Sequence, residues 1–195
     1  MGVDLMSMAA DAHPVSSEAY RDAAVRSVRV PPGLVAVVAI GLAAAALIKF
    51  DLSGRAFVAA LYCVLLVVLA AIDLERRIIP NRIVVPGALV VLLGNVAAEP
   101  HRAKEWTFAA FATMLGALVI SVATRGGVGM GDVKLALLLG AGLGWHIVGG
   151  IVVAMAATFV VALTILARRG LGARKETIPF GPFLVFGALV ALFLS

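Results

Sequence analysis

Runs of apolar residues divide this chain into seven predicted helices. They fall at about 31–49, 55–72, 83–98, 106–123, 133–144, 147–167 and 179–195, with polar or charged residues at their boundaries. Several approach the roughly 20 residues that a helix needs to cross about 30 Å of hydrocarbon. The run from Val133 to Ala167 has to be divided. Its 35 residues would rise about 52 Å, too far for one crossing. Gly140, Gly142 and Gly144, followed by Trp145 in "GAGLGWHI", supply the break. Residues 1–30 are different: polar, mixed in charge and without a sustained apolar run. They lack the basic start and apolar centre of a signal peptide, and "MGVDLM" lacks the serine or threonine of a myristoylation site. The expectation is a disordered cytoplasmic tail, with a short surface helix around 16–28, ahead of a transmembrane domain over 31–195.

Composition raises that pattern to a fold class. The chain is 63% hydrophobic and 14% charged, with a mean hydropathy of +1.10. A soluble domain is nearer half apolar and a quarter charged, so an all-α, polytopic helical membrane bundle is predicted. With seven spans and the N-terminus inside, 12 of the 16 lysines and arginines fall on the cytoplasmic side. That split follows the positive-inside rule and gives the formal charge of +5 a topological meaning rather than a nucleic-acid one. Cys63 is the single cysteine and lies in an apolar run, which excludes a disulfide framework and a cysteine zinc site. His13, His101 and His146 are scattered without metal-ligand spacing and read as surface or interfacial residues.

Two acidic residues stand out against this background. Asp73 closes the second run in "VVLAAIDLERRIIPN", and Asp132 opens the fifth in "GVGMGDVKLALLLG". A carboxylate at a mid-helix membrane position costs roughly 2.5–3.5 kcal/mol on insertion scales. Two helices separate the pair, so an even number of crossings returns both to the same cytoplasmic edge, with Glu75 slightly further out among arginines. Two carboxylates about 3 Å apart cannot both ionise and therefore share a proton. The ionised one takes a proton from water while the neutral one polarises a peptide carbonyl. This is aspartic-protease chemistry, which requires neither metal nor cofactor. The nearby glycines let backbone pass close and allow positive φ, which suits a site that admits an extended peptide. Plainer roles stand beside this one: Asp132 as N-cap of the helix from 133, and Asp73 as a juxtamembrane charge beside Arg76 and Arg77.

Three motifs then point to a family. "GMGDVKLALLLGAGLGW" resembles the Gly-x-Gly-Asp motif of type IV prepilin peptidases, including the lysine two residues after the aspartate. "DLERRIIPN" is similar to that family's other aspartate segment, and "TIPFGPFLVFGA" at 177–188 to its Pro-Phe-Gly-Pro-Phe element. The motifs occur in the family's order and cover most of 31–195. The resemblance implies that Asp73 and Asp132 are the catalytic pair. Gly129 and Gly131 would then shape the site. Lys134 would hold a negative charge or a carbonyl, or else serve only as an inside topology charge. Pro80 and Asn81 start the third helix, Asn81 as cap or Pro80 as turn former, in preference to a direct substrate role, and Phe180, Gly181 and Pro182 would form a bent helix start or touch substrate.

Long family members carry paired Cys-x-x-Cys elements in a module associated with N-methylation. This chain resembles the short form without it. The implied activity is cleavage of the short leader of prepilin-like or pseudopilin substrates at the cytoplasmic face. The implied setting is a multi-pass protein of the inner membrane, in contact with lipid and near pilus or secretion assembly machinery, with no nucleic acid and no cofactor. The alternatives are an intramembrane protease of other single-span substrates, a proton-coupled carrier using the aspartates as relay sites, and a catalytically silent assembly scaffold.

Overall fold

Each apolar run becomes one helix. The computed structural model describes residues 30–124, 129–169 and 180–195. The expected tail and its helix around 16–28, Gly126 and Gly127 lie outside the described residues. The helices are α1 (Pro32–Lys49), α2 (Gly54–Arg76), α3 (Asn81–Ala98), α4 (Ala103–Ala123), α5 (Met130–Leu143), α6 (Ile147–Arg169) and α7 (Gly181–Leu194). Single 3-10 turns at Pro100–Arg102 and Gly144–His146 complete the described elements. Local chemistry sets several boundaries. Pro32 opens α1, where its missing N–H costs nothing, and the Ser53 hydroxyl caps α2 by accepting from the Ala56 amide at 3.3 Å.

Five stretches of the described residues are long and apolar enough to span a membrane. One of them, Met130–Arg168, joins α5 to α6 through the turn, and α7 is shorter. The protein is therefore a multi-pass, all-α membrane bundle. Its helices alternate in direction: the ends of α2 and the starts of α1, α3, α5 and α7 gather at one end of the bundle.

α5 is the central helix. Val133, Leu135, Ala136 and every residue from Leu138 to Leu143 are buried. In lipid, apolar surface gives helices little reason to associate, so close packing and interhelical hydrogen bonds carry the assembly. At Gly140 an added Cβ would lie 2.8 Å from Ala110 Cα, so α4 and α5 meet backbone to backbone. Asn95, 3% exposed, donates from α3 to the Ala141 carbonyl at 2.9 Å.

The predicted break falls at Gly144, whose φ of 55° and ψ of −133° end α5 in a conformation that suits glycine. Breaking the helix frees two backbone groups. The Ala141 carbonyl takes the Asn95 amide, and the Trp145 N–H donates to Glu105 Oε1 at 3.3 Å. Glu105 is itself gripped by Arg102 through two bonds of 2.8 Å. Arg102 also reaches Glu99 at 3.0 Å, and Glu99 takes Arg55 at 3.3 Å. Both guanidinium groups also lie over the buried Trp106 ring, at 5.2 and 4.7 Å. Beyond this elbow α6 leaves α5 and packs on α7, where Gly187 meets Ala154. A groove remains between α4 and α6.

Candidate active site

Asp73 occupies the last turn of α2, where it is only 7% exposed. It is therefore not a snorkelling juxtamembrane charge. Arg77 follows in a left-handed conformation, φ 52°, and its amide donates to the Asp73 carbonyl at 2.7 Å, ending the helix. The Asp73 carboxylate lies against the Gly181 backbone and within electrostatic reach of Arg77. α7 begins against this carboxylate so closely that a Cβ on Gly181 would overlap Asp73 Oδ2 and sit 3.0 Å from its Cγ.

Asp132 corrects one expectation. The α5 helix begins at Met130 with Gly129 as its cap residue, so Asp132 is the third residue of the first turn rather than the cap. Its amide donates to the Gly129 carbonyl at 3.0 Å. Its carboxylate is half-buried near the positive end of the helix dipole, which favours an anion. Gly131 lies in the same turn, and a Cβ there would stand 3.1 Å from that of Ile79. Gly131 therefore keeps space clear against the α2–α3 connection, whereas a Cβ at Gly129 would only touch Asp132 Oδ2, at 4.0 Å.

The fold brings the two aspartates together. Asp132 lies within the electrostatic field of Asp73, although the two sit on different helices. The third motif joins them: Gly181 faces Asp73, while Phe180 lines the same groove as Asp132. Pro182 turns the other way, into a small cleft between α1, α2 and α7.

Asn81 supplies a second correction. Pro80 occupies the cap position of α3, and no side chain caps that helix. Asn81 is the first helical residue, and its Oδ1 accepts the Lys134 ammonium at 2.8 Å instead. The long-range bond takes the oxygen that a local cap would use.

The groove starting at Asp132 and Phe180 has a volume of about 780 Å³ and reaches Trp145 at the far end of the bundle. α4 contributes a wall of small residues, Ala109, Ala112 and Gly116 among them, and α6 a bulkier one with Ile151, Met155 and Phe159. Its two hydroxyl groups are satisfied by their own helices: Thr113 bonds the Ala109 carbonyl and Thr158 that of Ala154. The lining therefore presents hydrocarbon. Its wall residues Ile120, Val148, Met155 and Phe159 are exposed, so the groove opens along its side.

Sequence reasoning missed Asn95, Glu105 and Arg102, which hold α5 and its elbow. The available signals were a lone amide in "LLGNVAAE" and the three-residue Arg–Glu spacing in "HRAKEW".

A family profile described as the type IV leader peptidase family matches residues 60–167, which include both aspartates. A prepilin leader peptidase/N-methyltransferase of Burkholderia pseudomallei is 32% identical over 179 residues, covering 87% of this chain and 58% of that protein. One of the same name from Bacillus subtilis is 31% identical over 157 residues, covering 77% and 60%. A third, from Dickeya chrysanthemi, is 29% identical over 148 residues, covering 73% and 52%. The chain thus spans less than two thirds of the length of these relatives. No solved structure matches it significantly.

Proposed function

This chain belongs to the type IV leader peptidase family, and we propose that it is an aspartic endopeptidase that removes the leader of type IV prepilins or pseudopilins. One observation carries the reading. Two acidic side chains from separate helices converge at one end of an apolar bundle, with Gly181 packed against one and an apolar groove running from the other.

The chemistry follows from a shared proton. The ionised aspartate takes a proton from a water molecule, whose oxygen attacks the scissile carbonyl carbon. The protonated partner donates a hydrogen bond to the carbonyl oxygen as negative charge builds there. Collapse of the tetrahedral intermediate breaks the C–N bond, and the amine leaves with the proton first taken from water. The start of α7, packed on Asp73 at Gly181, limits how far that carboxylate can move. The substrate's apolar helix lies along the groove, against the small wall of α4, while its leader reaches the polar edge beside Asp132. The positive-inside split supports a cytoplasmic position for that edge at the inner membrane, and the family supports a place near pilus or secretion assembly machinery.

The test is leader removal from a purified prepilin, with sequencing of the new N-terminus. Asn retains the shape of Asp but can neither gain nor release the catalytic proton. Asp73→Asn and Asp132→Asn should each slow cleavage about a thousandfold or more, roughly 4 kcal/mol. The double variant should be little worse, because residues of one catalytic unit are non-additive. Wild-type-like cleavage by either folded single variant would end the assignment.

A further inference from the structure

We propose that Lys134 and Asn81 form a clamp that sets the separation of the Asp73 and Asp132 carboxylates, acting as positioning residues. The proposal rests on the reading of those aspartates as the catalytic pair.

The geometry begins with the orientation of Lys134. It follows Asp132 by two residues, about 200° around an α-helix, so the two side chains leave α5 in different directions. Lys134 reaches Asn81 Oδ1 at 2.8 Å. Asn81 opens α3 just after the connection that leaves Asp73. That connection is short and shaped at each step. The left-handed Arg77 bonds back to the Asp73 carbonyl, Ile79 seats on Gly131, and Pro80 holds an extended φ of −72° and ψ of 121° before the helix. The chain following one aspartate therefore touches the turn bearing the other at two points, Gly131 and Lys134, which flank Asp132.

Electrostatics argues that this lysine is not there to stabilise its helix. A cation in the opening turns of α5, aimed at the N-terminus of α3, opposes both helix dipoles. The amide of Asn81 offers an oxygen without adding another carboxylate beside the pair, so the clamp is electrically neutral at its acceptor end. The Ile79–Gly131 contact resists approach, and the Lys134–Asn81 bond resists separation. Together they fix a distance in both directions.

Substitutions on both sides test this in the full-length protein in detergent micelles. A misplacement of about 1 Å can cost a hundredfold in rate, so a half-released clamp should lose about tenfold in kcat. Lys134→Ala, Asn81→Ala and the double variant should share that loss, with KM little changed. Lys134→Arg, which keeps the donor, and Asn81→Gln, which keeps an amide oxygen, should recover most of it. Amide hydrogen exchange in peptides over 77–84 should accelerate in both alanine variants and not in Lys134→Arg.

Three results would overturn the clamp: additive losses in the double variant, unchanged exchange, or a silent Asn81→Ala beside an impaired Lys134→Ala. The last would mean that Lys134 meets the substrate itself. Absence of prepilin cleavage by the wild-type protein would instead defeat the peptidase reading, and the exchange measurement would still judge the clamp.

Discussion

Replacing Gly181 with alanine is the sharpest test of how α7 serves the site. The new Cβ would overlap Asp73 Oδ2 and stand 3.0 Å from Cγ and 3.6 Å from Cβ of that residue. Comfortable carbon–carbon contact is about 3.5–4.0 Å, so relief requires a shift of about 0.5–1 Å. Either α7 backs away from the carboxylate, or Asp73 rotates away from Asp132. Crowding of this kind costs about 1–3 kcal/mol in a packed site. A displacement of about 1 Å at reacting groups can lower the rate about a hundredfold, or roughly 2.7 kcal/mol in kcat/KM. The assay is the initial rate of leader removal at substrate concentrations below KM, with thermal unfolding in the same detergent. Gly149→Ala is the control, since nothing lies within 4 Å of a Cβ there, and it should cleave like the wild type. Cleavage by folded Gly181→Ala within about twofold of wild type, against that hundredfold expectation, would refute the coupling of α7 to Asp73.

The remaining predictions address the groove, the topology and the chemistry. Gly116→Leu, which fills the small wall of α4, should slow cleavage of a full-length prepilin about tenfold or more while sparing a leader peptide without the apolar helix; equal effects on both would mean that the helix does not dock there. A cysteine introduced as Ile78→Cys should react with an impermeant thiol reagent only from the cytoplasm, and Leu52→Cys only from the periplasm, in a background lacking Cys63; the opposite pattern would invert the topology. Chelators should leave the rate of leader removal unchanged, and loss of cleavage that added zinc restores would contradict a mechanism run by two carboxylates.

Local signals revealed the helices and the pair. The apolar runs matched the helices because a lipid-facing segment has little freedom in composition, and the glycines of "GAGLGWHI" did mark the elbow at Gly144. The motif glycines misled at close range. Gly129 and Gly131 suggested a turn ending at Asp132, whereas Gly131 is helical and its missing side chain makes room for Ile79. Asn81 looked like a cap because its real partner, Lys134, lies 53 residues away. Separations of 46 and 40 residues likewise hid the Asn95 bond to Ala141 and the grip of Glu105 on Trp145. The groove was invisible for a related reason. It is the space left when α6 turns aside at the elbow, and no residue of its lining announces it.

The open side of that groove changes what concentration means for this protein. A substrate held by its own apolar helix does not arrive from water; it drifts in from the plane of the bilayer. The governing quantity is then copies of substrate per lipid, and encounters follow two-dimensional diffusion. Adding empty lipid to a fixed amount of enzyme and prepilin should slow cleavage, while adding buffer should leave it unaltered. Unrelated single-pass helices crowded into the same bilayer would compete for the opening without resembling the leader at all. A cell could therefore adjust processing through the local crowding of its membrane, with no change in the amount of either protein.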